Sequence, residues 1–433
     1  MTRHLILKIT FFMFIFLLLC IGPNLGFSAS RTTIAPSGVL SFATVPGSSD
    51  PAGDEWPMFR GQLNHTGVAY TTLTNHTSPF WSYLTGSAVW CSPVVAAGRL
   101  YVSSYDGKVY CLNITTGRQL WNYSAGYDMY SLAVADGCVF VGNGDGYIYC
   151  LNATTGGFRW SSPISPSWAV NSAPAIAGGR LYVGSNDKRV YCLNAATGAQ
   201  HWNYTTGDYV YSSPAVVGAR VYVGSYDGKI YCLNTATGGL LWSYPTGDFV
   251  YSSPAVAGGR VYVGSDDMKV YCLDAIAGTS LWNYTTEGQV RSSPAVAGGR
   301  VYVGSNDNKV YCLDATAGTS LWNYTTGSDV RSSPAVTSGR VYVGSNDNKV
   351  YCLNATTGGF LWSYTAGGAV ISSPAVAGGR VFVGSYDAKV YCLPLILQSA
   401  NPQQQIPGFT MPCIILGAII TVGFLISKRR MKF

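Results

Sequence analysis

Residues 330–369 read VRSSPAVTSGRVYVGSNDNKVYCLNATTGGFLWSYTAGGA, and variants of this unit fill most of the chain. It holds four β-rich runs, represented by Ser-Ser-Pro-Ala-Val, Gly-Arg-Val-Tyr-Val-Gly-Ser, Lys-Val-Tyr-Cys-Leu and Leu-Trp-Ser-Tyr, with Gly, Asp or Asn turns between them. The tryptophans Trp81, Trp121, Trp160, Trp202, Trp242, Trp282, Trp322 and Trp362 fall 40, 39, 42, 40, 40, 40 and 40 residues apart. Four short strands per repeat of that length make a propeller blade.

Strand counting then fixes the number of blades. An innermost strand of the Ser-Ser-Pro type occurs eight times between about Val89 and Val370, and the Tyr-Cys-Leu strand eight times, ending at Tyr391 to Leu393. The last repeat lacks its Leu-Trp strand, while Phe80-Trp81-Ser82-Tyr83 stands unpaired at the front. The spacing therefore predicts an all-β, eight-bladed propeller of four-stranded antiparallel blades. Its N-terminal strand closes the C-terminal blade and removes the exposed sheet edges that template aggregation.

Outside the repeats, the ends are expected to be targeting and anchoring segments. Arg3 and Lys8, the apolar run Ile9 to Ile21 and the small residues Ser28, Ala29 and Ser30 have the layout of a signal peptide over 1–30, with an uncleaved anchor as the alternative. A lead-in follows over 31–77, the propeller over 78–394, and a linker over 395–405. Residues 406–427 are long and apolar enough for a transmembrane helix, and 428–433 form a basic tail that belongs on the cytoplasmic side. This places the propeller at the cell surface, on the outer face of the cytoplasmic membrane, in a single-pass chain with its C-terminus inside. The net charge of +7 comes almost wholly from the ends, leaving 21 basic against 20 acidic residues over 31–427. No basic stripe exists there for a nucleic-acid backbone.

Two stretches carry a family resemblance. The turn Leu-Asn-Ala-Thr-Thr-Gly-Gly-Phe-Leu-Trp at 353–362, with copies such as Leu313 to Trp322, resembles the tryptophan-docking motif of quinoprotein alcohol dehydrogenases. Trp56-Pro57-Met58-Phe59-Arg60-Gly61, continuing to His65-Thr66-Gly67, resembles the opening of pyrroloquinoline-quinone (PQQ) repeat propellers. The resemblance covers 56–393 and implies that each tryptophan docks on the next blade. Ile406-Pro407-Gly408-Phe409 ahead of the apolar run resembles the C-terminal sorting signals of archaeal surface proteins, which implies that the anchor is exchanged for a lipid. Enzymes of the quinoprotein family use PQQ with calcium, held by a vicinal Cys-Cys disulfide and by Asp and Glu residues. This chain has no adjacent cysteines.

The repeated polar residues read as architecture. One cysteine per blade, from Cys111 to Cys392, is expected to be a buried free thiol, while Cys91 and Cys138 break the pattern and leave a bridge between them open. One aspartate per blade, from Asp106 to Asp387, sits between the second and third strands as hairpin-turn chemistry, with no spacing suited to calcium. Of the four histidines only His201 falls within the repeats, and no nucleophile elbow or phosphate loop occurs. No catalytic residue and no metal ligand is assigned. Asn64, Asn75, Asn113, Asn122, Asn152, Asn203, Asn283, Asn323 and Asn354 are N-glycosylation sequons on an exported chain.

One repeat position changes chemical character while its neighbours stay fixed. Just before the Ser-Ser-Pro strand stand Trp90, Tyr130, Asn171, Tyr211, Tyr251, Arg291, Arg331 and Ile371, joined by loop residues Asp128, Trp168, Asp208, Asp248, Glu287 and Asp329. A ring of aromatics and two arginines at the channel mouth suits a ligand, with Trp90, Tyr130, Tyr211, Tyr251, Arg291 and Arg331 as the binding residues. Duplication of blades 6 and 7 accounts equally for the two arginines. The function expected is a non-catalytic, surface-displayed scaffold for an extracellular protein or glycan, with no cofactor. The alternative is a PQQ-dependent dehydrogenase with PQQ and calcium at the channel mouth.

Overall fold

A computed structural model describes residues 55–397 apart from 70, 72–74, 77, 127 and 166. The expected signal peptide, transmembrane helix and basic tail lie outside the described residues. Within them there is no helix, and eight four-stranded antiparallel sheets form the blades. Blades 1 to 7 span 94–124, 129–163, 175–205, 215–245, 255–285, 295–325 and 335–365. Blade 8 combines Ala375–Ala377, Arg380–Gly384 and Lys389–Pro394 with Trp81–Leu84, which pairs Trp81 to Cys392 and Leu84 to Lys389. Closure by the first strand is thus as the strand count requires.

Burial explains the composition of each strand. The second and third strands lie between neighbouring blades, so both faces are covered and the sequence runs apolar without alternation, as in Val-Tyr-Val and Ile-Tyr-Cys-Leu. The outer strand has one solvent face and alternates accordingly. The innermost strand is only three residues long in seven blades because proline at 93, 174, 214, 254, 294, 334 and 374 offers no N–H to the ladder. Blade 2 has no proline here, and its inner strand runs the full Met129–Ala135 with a bulge between Met129 and Leu132. This is also the blade behind the 39-residue spacing.

Blades are joined by paired donors. In blade 4, Tyr222, Cys232 and Trp242 face one another across three strands. Tyr222 Oη and Trp242 Nε1 both donate to the carbonyl of Ala275 in blade 5, at 3.0 and 3.2 Å. The same double bond recurs onto Ala153, Thr235, Ala315, Ala355 and Leu395. Trp81 docks on Ile114 and Trp160 on the turn at Gly198. Seven of the eight indoles lie against a turn glycine of the next blade, and Trp362 lies instead at Leu395. At Gly238, with φ of +72°, an added Cβ would come within 2.7 Å of the Trp202 ring, so no other residue fits.

The residues flanking the ring depart from the expected boundaries. Ile396–Leu397, placed by sequence in a linker, forms a strand parallel to Asn75–His76 of the lead-in. Leu395 is fully buried and receives the Tyr342 and Trp362 bonds, so the chain stays packed on the ring just past 394.

Candidate functional site

The lead-in does not precede the ring but runs through it. Starting at Trp56, which exchanges backbone hydrogen bonds of 2.8 Å with Val95, the chain gives its carbonyls in turn to Val134, Val216, Val256, Val296 and Val336. It reaches blade 8 at Thr71, whose hydroxyl accepts from Gly379 N. These valines occupy the middle of the innermost strands, whose free edges face the channel, so the strap satisfies donors that would otherwise be orphaned. Strap residues 56–71 therefore make a full circuit of the channel, and Phe59 floors the space above them.

Two ionisable side chains are enclosed in this circuit. Arg60 is 1% exposed, donates to the carbonyl of Pro334, and burial pushes its pKa down to about 9. His65 Nδ1 lies 3.2 Å from Pro254 O, and burial, with Arg60 nearby, lowers its pKa to about 3, so it is neutral. His201 sits exposed on an outer strand, while His65, which falls outside the repeats in sequence, is the one inside the ring.

Above Phe59 lies a cavity of about 360 Å³. All eight variable positions, Trp90, Tyr130, Asn171, Tyr211, Tyr251, Arg291, Arg331 and Ile371, line it. The associated loop residues do not. Asp208 pairs with Lys188, Glu287 with Lys309 and Asp329 with Arg331, while Trp168 stands half exposed against Tyr209. Asp128 and Asp248 engage backbone N–H groups of Gly144 and Phe249 through a carbonyl and a carboxylate oxygen respectively.

A second ring, missed in sequence because it reads as turn chemistry, stands just before the repeated aspartate: Tyr105, Asn186, Tyr226, Asp266, Asn306, Asn346 and Tyr386. The two rings interlock. Trp90 meets Tyr105 edge-on at 5.5 Å and Tyr386 at 6.3 Å. Tyr211 lies against Tyr226 and stacks on Tyr251, and Tyr226 stacks on Phe249 at 4.8 Å. Burial raises the pKa of Tyr130 and Tyr211 and pushes Tyr251 up to about 12, so these phenols are neutral donors.

The two arginines are not equivalent despite their matching repeats. Arg291 grips the buried carboxylate of Asp266 through Nε and Nη2, at 2.8 to 3.2 Å, and lies over the Tyr251 ring. Arg331 has a single 3.2 Å contact with Asp329, and both of those side chains are about one third exposed. Its Nε has no partner.

Deeper in, serine hydroxyls tie blade to blade. The N–H groups of Ala173, Ser213, Ser253, Ser293, Ser333 and Ser373 donate to the hydroxyls of Ser213, Ser253, Ser293, Ser333, Ser373 and Ser92, at 2.8 to 3.2 Å. The ring is interrupted at blades 2 and 3, which carry Leu132 and Ala173 where the others carry serine.

A quinone and calcium find few partners here. Cys91, the cavity's one cysteine, is flanked by Trp90 and Ser92, and burial pushes its thiol up to about 11. No carboxylate is among the lining residues, and among the described residues no group of three His, Cys, Asp or Glu side chains converges. The repeated aspartates are saturated: Asp227 accepts from Lys229 N, Tyr231 Oη and Gly207 N. The residues present do not fit PQQ with calcium. The cysteines among the described residues, Cys91 and Cys138 included, are free, with Cys91 donating to Met129 O and Cys138 accepting from Arg159.

Among the sequons, Asn122, Asn203, Asn283 and Asn323 are exposed on outer strands, and Asn113, Asn152 and Asn354 cap exposed turns. Asn64 lies in the strap, half-buried, with its amide oxygen enclosed.

Residues 65–131 and 126–249 match the family described as outer membrane protein assembly factor BamB, and 215–404 the family described as beta-alanine-activating enzyme, beta-propeller. No curated protein matches the chain by sequence. Among solved structures, BamB from Moraxella catarrhalis is 21% identical with a TM-score of 0.65, covering 73% of this chain and 99% of its own. Quinohemoprotein alcohol dehydrogenase from Comamonas testosteroni is 16% identical with a TM-score of 0.71, covering 82% of each. The computationally designed Ika8 protein is 18% identical with a TM-score of 0.66, covering 74% of this chain and 99% of its own. An assembly factor, a dehydrogenase and a designed ring share this fold, so the fold leaves function to the site.

Proposed function

Because the chain is an eight-bladed propeller of PQQ-like repeats, we propose that it acts as a non-catalytic binding scaffold that holds a protein or glycan ligand in the cavity at its channel mouth. The observation that carries this reading is the convergence of the one chemically variable repeat position, from all eight blades, on a single cavity. A ring of near-identical repeats needs no such variety for stability. The volume and the mixture of aromatic faces with a few polar groups suit a small-molecule or chain-end ligand. Display at the cell surface, through an apolar segment at 406–427 followed by four basic residues, belongs to the same proposal.

The dehydrogenase reading is the weaker one, since the cavity supplies neither a vicinal cysteine pair nor carboxylates for calcium. A thermal-shift titration of the purified full-length chain separates the two, using PQQ with Ca²⁺ in one series and a panel of saccharides and peptides in the other. The scaffold reading expects a saturable rise in melting temperature from the panel alone, removed by Trp90→Ala or Tyr251→Ala. A calcium-dependent rise with PQQ would replace it.

A further inference from the structure

Each of the six serine hydroxyls at the base of the cavity accepts a backbone N–H from the preceding blade. A hydroxyl has one proton to give. Among the described residues none of these six donates to a protein acceptor. Five of them, Ser213, Ser253, Ser293, Ser333 and Ser373, are more than nine-tenths buried, and all six line the cavity. The lining therefore carries a ring of hydroxyls, each with a proton still to donate.

Higher in the cavity the bias is the same. The phenols of Tyr130, Tyr211 and Tyr251 are neutral donors, Arg331 brings a positive charge with Nε unpartnered, and no carboxylate lines the walls. Arg291 is committed to Asp266, whereas the exposed single contact of Arg331 to Asp329 is readily exchanged. Against one unpartnered acceptor, Asn171 Oδ1, the lining sets the serine hydroxyls, the phenols and the Arg331 guanidinium, an excess of donors that favours an anion rich in lone pairs. Trp90 and the stacked Tyr211 and Tyr251 add flat apolar faces beside it.

We infer that the cavity takes an acidic sugar residue, its carboxylate held by the serine ring and Arg331 and its C–H face laid on the rim aromatics. This rests on the scaffold reading above and names its ligand class. No bond is made or broken in the bound sugar.

Isothermal titration of the full-length chain with trigalacturonic acid, and with its fully methyl-esterified form, tests the inference. The two share one skeleton and differ in charge. The acid is expected to bind saturably and the ester at least about tenfold more weakly, the loss of one or more charge-assisted hydrogen bonds. Ser293→Ala and Arg331→Gln are each expected to weaken the acid by about tenfold, with Ala173 showing that the ring accepts alanine and the melting temperature reporting that each variant folds. Equal binding of acid and ester would overturn the anion assignment and leave the scaffold standing. Absence of binding by both would overturn the sugar assignment, with the scaffold still judged by its own ligand panel. Tight PQQ binding that displaces the acid would overturn both.

Discussion

On the strap side of the channel, one backbone segment gives a carbonyl to the equivalent valine of six blades, whereas on the loop side equivalent positions hold Trp90, Asn171, Tyr251, Arg331 and Ile371. The first set uses main-chain atoms, which every residue supplies, so the repeats can stay alike. The second uses side chains, and only there does divergence between blades change what the ring can hold. Sequence variety in a repeat protein thus points to its chemistry, and sequence uniformity to its closure.

The hardest test of the strap side is Trp56→Ala. Trp56 is 2% exposed and anchors the strap to blade 1, so its loss should cost about 3–5 kcal/mol in denaturant or thermal unfolding. Loop-side Trp90→Ala, at a residue 36% exposed, should cost far less.

Acid sharpens the contrast next. The folded pKa of His65, about 3, lies below the ordinary 6.5, so as pH falls the unfolded chain takes up the proton first. The stabilisation is complete above about pH 6.5 and is lost progressively towards pH 3, amounting to about 3 kcal/mol by pH 4. His65→Asn, which tolerates the positive φ of this position, should flatten the stability profile over that window.

The two arginines divide the loop side itself. Arg291→Ala strands the buried Asp266 carboxylate and should lower stability by about 2 kcal/mol, allowing for the partial exposure of the arginine. Arg331→Ala should change stability by less than about 1 kcal/mol, while acting on ligand binding. Equal effects on unfolding would break the distinction between them. The smallest effect belongs to Ala173→Ser, which extends the serine ring into blade 3 and should shift stability by no more than about 1 kcal/mol.

The ring was legible in sequence because tryptophan, cysteine and the strand patterns recur at a fixed period, and the orphan strand at Phe80 to Tyr83 shows how it closes. The variable position before Ser-Ser-Pro was equally visible, as a departure from that period. The strap was not, since Trp56 to Thr71 has no periodicity and its contacts run through carbonyls that no side chain announces. Tyr226 and Asp266 were hidden for another reason. They sit in turns whose repeated aspartate already accounts for the local pattern, and only the neighbouring blade reveals that Asp266 faces Arg291.

Near-identical repeats invite gain or loss of a unit by recombination, and nothing in one blade-to-blade contact records how many blades precede it. The strap does. Its carbonyls at Trp56, Pro57, Leu63, Asn64, Thr66 and Gly67 meet blades 1, 2, 4, 5, 6 and 7 in order, and Thr71 arrives at the eighth. Sixteen residues of unrepeated sequence, 56–71, thus act as a gauge. Its contacts run in register with a ring of eight, so the count of blades is written in a part of the structure that does not repeat.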